Sequence, residues 1–361
     1  MSKIGILTTG GDCSGLNSVI RAAYIRSKIL GCELIGIRRG IQGLEHETLD
    51  SIKLNDTLCD YSLLGRSGSI LLSNTKWMKA SIDKGKSLDD IKKQIYEGYK
   101  ELELNGLICV GGDGSIKLIN ELLVDNEDIN VVVVPKTIDN DVNYTSSSIG
   151  FNTVVENVVH QIDCARSTAM SHERTMIVEV MGRGAGFIAM YAGTASGADV
   201  ILIPEIKYNT ENLISKVKSC MHQNGHCIVV VSESVESDDF THLEKFVDGV
   251  LKYTHLEYKG ISHHFKKLFK DHGIETRSVV LGHTQRGGDT TANDRIIGSM
   301  FGVEAVNLLC RGESGKLLCY NCGKINVENI SEVCHSINRS LPADDPVLLT
   351  ARDMWVYIGE V

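Results

Sequence analysis

The sequence predicts an α/β protein of two lobes, each a mainly parallel sheet flanked by helices, with the active site in the cleft between them. Three observations lead to this class. Apolar, β-branched runs recur along the 361 residues and alternate with longer stretches of helical apolar spacing. Thirty-five glycines against four prolines supply tight turns between those elements. The turns after Thr8, Val110 and Val134 are rich in glycine or aspartate and follow a strand directly, where doubly wound sheets bind ligands.

In chain order, strands are expected over Lys3–Thr8 and Leu34–Ile37, separated by a helix over Leu16–Leu30 whose apolar residues fall at helical spacing. A second helical stretch, Leu88–Leu104, leads to strands over Gly106–Val110 and Asn130–Val134. The run Val131-Val132-Val133-Val134 lacks period-two alternation, so both of its faces are covered and it belongs in mid-sheet. Further strands are expected over Thr175–Val180, Val200–Pro204, His226–Val231 and Arg277–Leu281. Without a low-complexity tract or long linker, the passage between lobes is a crossover, expected near Gly150.

Composition excludes several classes. A formal net charge of −9 argues against a nucleic-acid partner. The apolar run behind Met1-Ser2-Lys3 is too short for a signal peptide or a membrane span, so no membrane partner is expected. Eleven cysteines, scattered through otherwise apolar runs, suit buried thiols in a reducing compartment, so a cytoplasmic location is expected. Cys319 and Cys322 have the spacing of half a zinc site, but no second pair follows closely, and they are read as unpaired structural thiols.

The first turn reads Thr8-Thr9-Gly10-Gly11-Asp12-Cys13-Ser14-Gly15 and opens a helix, so its backbone amides can face a phosphate. It lacks the Gly-Lys-Ser/Thr ending of a Walker A loop, and taken alone a plain tight turn explains it equally well. In Gly111-Gly112-Asp113-Gly114-Ser115 a carboxylate stands among small residues, which makes Asp113 a candidate Mg2+ ligand beside a polyphosphate. In Pro135-Lys136-Thr137-Ile138-Asp139-Asn140-Asp141, a carboxylate of Asp139 or Asp141 can accept a hydroxyl proton, and Lys136 can neutralise a phosphoryl group in transfer. The plainer readings are an Asx-rich turn and a solvated surface lysine.

A second anion region is expected farther along. Met181-Gly182-Arg183-Gly184 sets an arginine in a glycine turn, and Arg277, His283 and Arg286 surround a later one. Arginine's planar fork suits phosphate oxygens. Glu233 follows a strand, where it can accept sugar hydroxyls, while His283 reads equally well as a histidine satisfied beneath its loop.

Together, TTGGD, GGDGS, TIDND, EVMGR and GHTQRGG with Asn293-Asp294-Arg295 behind it resemble the phosphofructokinases in content and order, over roughly residues 3–310. The resemblance implies a phosphoryl-donor and magnesium lobe of residues 1–150, to which 285–335 return, and a sugar-phosphate lobe of 151–284 carrying 336–361. It implies ATP or pyrophosphate, fructose 6-phosphate and Mg2+ as ligands, and a homo-oligomer, usually a tetramer, with active sites shared across an interface. Gly11, Gly112, Asp113, Gly114 and Ser115 match donor positions, with Asp113 the metal ligand; Asp139 matches the base that takes the sugar's 1-hydroxyl proton, flanked by Lys136, Thr137 and Asp141. Met181, Gly182, Arg183, Glu233, His283 and Arg286 match sugar-phosphate contacts, and Arg174 and Arg277 match arginines that reach a neighbouring subunit's site.

Thr75 stands where the family has a donor-bridging arginine, leaving Lys76 as a substitute cation; this departure keeps open a weakly active, sugar-phosphate-binding regulatory subunit, against which Asp139 stands. Arg21, Arg166 and Asp199 match only part of the family's effector pocket, so control by its usual effectors is not predicted. On the donor the sequence is mixed. Gly114 is of the ATP type, because an acidic side chain there would clash with and repel an α-phosphate, whereas Lys136 is of the pyrophosphate type. ATP is the expected donor, since a steric block is harder to evade than an extra cation. Another sugar phosphate, such as sedoheptulose 7-phosphate, would meet the same anion contacts.

Overall fold

The computed structural model describes residues 2–74, 77–83, 85–124, 126, 128–236, 244–247, 250–253 and 260–360. Its elements begin with β1 (Lys3–Thr8), α1 (Leu16–Ile29), β2 (Glu33–Ile37), β3 (Ser51–Lys53), α2 (Trp77–Asp83), α3 (Leu88–Glu101), β4 (Gly106–Gly111), α4 (Asp113–Ile119) and β5 (Val131–Pro135). They continue with α5 (Phe151–Ser171), β6 (Thr175–Val180), α6 (Phe187–Ala195), β7 (Val200–Leu202), α7 (Thr210–Asn224), β8 (Cys227–Ser232), β9 (Glu244–Val247), β10 (Val250–Tyr253), α8 (Ile261–Asp271) and β11 (Thr276–Val280). The last are α9 (Ala292–Cys310), β12 (Lys316–Asn321), β13 (Lys324–Asn329), α10 (Ile330–Val333) and α11 (Pro346–Asp353).

The chain forms two compact units, Met1–Thr153 with Arg286–Arg339, and Val154–Gln285 with Ser340–Val361. The first unit's return segment thus ends at Arg339, beyond the limit near 335 expected from the sequence. Its sheet has the order β13-β12-β5-β4-β1-β2-β3. The strands from β12 to β2 run parallel, and β3 and β13 add antiparallel edges. As the unalternating valines require, β5 lies inside this sheet between β12 and β4, with every residue buried. The second unit holds the parallel sheet β11-β6-β8-β7, and β9 pairs with β10 as a separate antiparallel ribbon.

The expected strands are all present, with ends shifted by a few residues at most. The sequence reading did not resolve β3, β12 or β13, and it ran the helix from Leu88 on to Leu104, whereas α3 ends at Glu101. Glu103 explains the stop: its φ of 53° leaves the helical region. At the other end, Ser87 and Asp90 form a reciprocal capping box that starts α3. Cys319 is buried within β12 and Cys322 is exposed at the turn into β13, and neither is bonded to another cysteine.

In the first unit, α1 and α9 approach closely because α9 carries Gly298 and Gly302 one turn apart. A Cβ built at Gly302 would collide with the carbonyl oxygen of Val19, and one at Gly298 would lie 3.0 Å from that of Gly15. The amino terminus of α9 is held by Asp294, fully buried, whose carboxylate accepts the Gly150 N–H at 3.2 Å and the Thr153 N–H at 2.8 Å. Burial raises the Asp294 pKa above its ordinary value, and the hydrogen bonds from Thr153 oppose that rise. Among the described residues no helix is long and apolar enough to cross a membrane.

Gly302→Ala is expected to lower the free energy of unfolding by about 1–3 kcal/mol, because the methyl meets backbone and not a movable side chain. Chemical denaturation of the two proteins measures this; an unchanged midpoint would mean that the helices can separate at no cost.

Candidate functional site

The first unit collects three strand-end loops at one edge of its sheet, following β1, β4 and β5. The loop after β1 turns through Gly10 (φ 83°) and Gly15 (φ 94°), conformations that favour glycine. Hydrogen bonds stitch it to residues 66–73. Asn17, itself buried, donates to the carbonyls of Arg66 and Gly68 at 2.8 Å each and accepts the Ile70 N–H, while the Ser73 hydroxyl donates to the Gly10 carbonyl at 2.5 Å. Thr75 and Lys76, where a donor-contacting cation was expected, lie outside the described residues.

Lys136 is not a solvated surface lysine. It is 4% exposed, and its ammonium donates to the Gly11 carbonyl at 2.5 Å, joining the loop after β5 to the loop after β1. Burial lowers its pKa below the ordinary 10.5, reinforced by the cationic Arg286 and opposed by the acidic groups of Cys13, Asp139 and Asp12. Arg286, expected among the sugar-phosphate contacts, belongs to the first unit. Its Nη1 lies 3.8 Å from Asp12 and would stand 2.5 Å from a Cβ built at Gly11. Its buried Nε meets no acceptor among the described residues. Lys136 and Arg286 set two cations beside exposed Asp12 and partly exposed Asp139, and such a pair of cations can attract an anion.

Asp113 opens α4 and is buried, with Oδ2 accepting the Asn338 amide at 3.1 Å; Lys117 in turn donates to the other end of that amide at 2.9 Å. Beside it, a Cβ at Gly114 would meet nothing within 4 Å, so the position faces open space. Gly112 precedes the helix as its N-cap, and the Ser115 hydroxyl lies 3.2 Å from a Cβ built at Gly10, so the β4 and β1 loops adjoin. A hard carboxylate at the rim of open space fits Mg2+, which takes one or two carboxylates and fills its remaining positions with water and phosphate oxygens.

In the loop after β5, Thr137 and Asp141 are buried and Asp139 is partly exposed. The Asp139 N–H donates to the Thr137 hydroxyl at 3.1 Å. Asn140 turns the chain with φ 54°, a conformation asparagine tolerates, and its side chain accepts the Ser148 N–H at 3.0 Å. From the return segment, Arg339 donates to the Asn140 carbonyl through Nε and to the Asp141 carbonyl through its backbone, each at 2.8 Å. Asn338 and Arg339 therefore brace Asp113 and the aspartate loop together. Sequence reading missed both; their only signal was a pair of hydrogen-bonding side chains in an otherwise unremarked segment.

In the second unit, the loops after β6, β8 and β11 adjoin. The Arg183 N–H donates to Glu233 at 3.1 Å and the Met181 N–H donates to Gln285 at 3.3 Å. Gln285 is buried and donates onward to the Gly282 carbonyl at 2.8 Å, so this side chain, overlooked inside its motif, joins two turns. Gly182 is required where it stands, since a Cβ would lie 2.5 Å from the Ala185 carbonyl oxygen. Arg183 (φ 53°) is exposed, and so is His283, which is therefore not a histidine packed beneath its loop. Arg174 precedes β6 with a buried Nε that meets no acceptor among the described residues, and Arg277 is half exposed and pairs with Glu275 at 2.8 Å. Glu179, in the same motif as Met181, is structural: its buried carboxylate accepts the Ser262 N–H in the first turn of α8 at 2.8 Å. Asp199 accepts the Ile228 N–H, while Arg166 donates to the carbonyls of Ser196 and Gly197.

Comparison with known proteins agrees with this geometry. The phosphofructokinase family model matches residues 3–309. The chain is 38% identical to an ATP-dependent 6-phosphofructokinase 1 of Nostoc sp., across 99% of both chains. It is 37% identical to a pyrophosphate–fructose 6-phosphate 1-phosphotransferase of Dictyoglomus thermophilum, across 87% of this chain and 88% of the other. Among solved structures, a phosphofructokinase from Saccharomyces cerevisiae superposes with a TM-score of 0.76 at 24% identity over 93% of this chain. The chain spans 45% of that yeast chain, a likeness of fold alone.

Because burial lowers the Lys136 pKa, the folded protein gives up this proton at lower pH than the unfolded chain does. Lys136 thus costs stability below its folded pKa, and the cost fades as pH rises through that value toward 10.5. Relative to Lys136→Met, the parent is expected to gain stability over that rise. Unfolding free energies measured across the alkaline range check the sign, and a constant difference would place the ammonium in water.

Proposed function

Because the chain belongs to the phosphofructokinase family, we propose that it transfers the γ-phosphoryl group of ATP to the 1-hydroxyl of fructose 6-phosphate, yielding ADP and fructose 1,6-bisphosphate in glycolysis. The observation that carries the choice of donor is the open space at Gly114, which leaves room for a nucleotide beyond the β-phosphate. Asp139 takes the proton of the attacking hydroxyl as the O–P bond forms, and the β-phosphate oxygen leaves with its electron pair. Thr137 orients Asp139 through the hydroxyl that receives its N–H. Lys136 and Arg286 oppose the charge spread over the phosphoryl oxygens, and the loop around Gly11, Gly112 and Ser115 presents small residues to the donor. Mg2+, held by Asp113, would neutralise and orient the donor phosphates.

Met181, Gly182, Arg183, Glu233 and His283 hold the sugar phosphate on this reading, with Asp141 supporting the loop at the reacting hydroxyl. A homo-oligomer, usually a tetramer in this family, supplies Arg174 and Arg277 to a neighbouring copy's site. Val279 and Val280, exposed on the edge strand β11, support an interface there. A cytoplasmic enzyme fits the eleven unbonded cysteines.

A second reading, pyrophosphate as donor, is favoured by the Lys136 residue type and by the Dictyoglomus relative. The bond from Lys136 to the Gly11 carbonyl gives this lysine a structural task that either donor allows, and so lessens its weight. Purified protein assayed with each donor separates the readings: turnover with pyrophosphate and none with ATP would sink the ATP proposal and leave the family untouched. Gly114→Asp is expected to lower kcat/KM for ATP by more than about tenfold while sparing pyrophosphate, through like-charge repulsion at the α-phosphate.

Asp139→Asn is expected to lower kcat by about 10²–10⁴-fold while leaving fructose 6-phosphate binding nearly unchanged. Steady-state rates with calorimetric binding check both halves. A parent protein that binds the sugar phosphate and turns over with neither donor would instead make the chain a regulatory subunit.

A further inference from the structure

Cys32 and Cys310 lie apart from the loops described above, with sulfur atoms 3.7 Å from one another. Cys310 is the last residue of α9 and is exposed; Cys32 is partly exposed and precedes β2, just past the end of α1. Their approach follows from the packing of α9 on α1, where Gly298 and Gly302 come close to the backbone of Gly15 and Val19. Near the same end, Arg26 of α1 donates to the Asn307 side chain of α9 at 2.7 Å. The two sulfurs, 278 residues apart in sequence, are therefore carried by the last residue of α9 and by the turn that follows α1.

We propose that Cys32 and Cys310 form a reversible disulfide within one chain, so that a peroxide converts the α1–α9 contact into a covalent tie. One sulfur attacks a peroxide oxygen and becomes a sulfenic acid as water leaves; the second sulfur displaces that hydroxyl as another water. Two thiols thus give up two electrons and two protons, and hydrogen peroxide is reduced to two waters. Disulfide bonding needs sulfurs that close to about 2.05 Å, a modest further approach for side chains at the ends of elements. The closed loop is long, and cross-links of long loops restrict the unfolded chain most.

The test treats the full chain with hydrogen peroxide, then digests it without reductant. Mass spectrometry is expected to find the Cys32 and Cys310 peptides joined, two hydrogens lighter than their sum, with the thermal midpoint raised by roughly 5 °C or more. Dithiothreitol should reverse both changes. Cys32→Ser and Cys310→Ser should each abolish them at unchanged basal turnover, whereas Cys164→Ser should keep them. Should one serine variant fail to fold, the other still decides. Peptides carrying single oxidised thiols, or a link found between isotopically distinct chains, would overturn the proposal.

Discussion

The bond from the Lys136 ammonium to the Gly11 carbonyl is the constraint around which the first unit's site is arranged. A buried cation is expensive unless it is paired or solvated by protein dipoles. Here one carbonyl is gripped directly, and the nearby carboxylates of Asp12 and Asp139 favour the charged form. That grip fixes how the turn after β1 faces the turn after β5. Arg286, arriving from a distant part of the sequence, adds a second positive group beside Gly11. The corner therefore sets two cations, Lys136 and Arg286, against the carboxylates of Asp12 and Asp139, and a phosphate is the kind of group the two cations can attract.

Around this centre, polar side chains replace regular structure as the means of holding loops still. Asp294 binds the residues that lead into α5, Asn17 binds the segment after Arg66, and Asn338 with Arg339 binds Asp113 and the aspartate turn. Each satisfies buried backbone groups that the sheet ladders leave behind. The candidate site's loops are thereby tied to neighbouring segments by side-chain hydrogen bonds. In the second unit Gln285 and Glu233 do the same for the turns after β6 and β8.

Much of the fold was legible because its signals are local. Four consecutive valines announce an interior strand, and glycines at the ends of strands announce turns with left-handed backbone. The candidates Asp113, Lys136 and Asp139 were likewise singled out from their neighbours in sequence. What escaped depends on distant partners. β12 is specified partly by pairing with β5 across a long separation, so its own residues give only a weak signal. For Lys136 a solvated side chain stood as the plainer alternative, because nothing beside it in sequence says that its ammonium meets the Gly11 carbonyl. The change of unit between Gln285 and Arg286 falls where the return near 285 was expected, but nothing near Arg286 in sequence shows that it meets Gly11 and Asp12. Asn338 could not be singled out, since asparagine's value there lies in the aspartate it meets.

The first unit is closed by residues that are made late. Strand β5 receives its neighbour β12 only when residues near 316 have been added, and Asp113 meets Asn338 later still. During synthesis, the amino-terminal half of this unit must wait with an open sheet edge while the whole intervening unit is produced. An open edge of fully buried valines is a template for the wrong strand. The order in which the ribosome delivers the chain thus makes the passage between Val134 and Lys316 the interval of exposure to wrong pairing, and a chain cut short between Arg295 and Lys316 would retain the motifs of a phosphotransferase while lacking β12, Asn338 and Arg339.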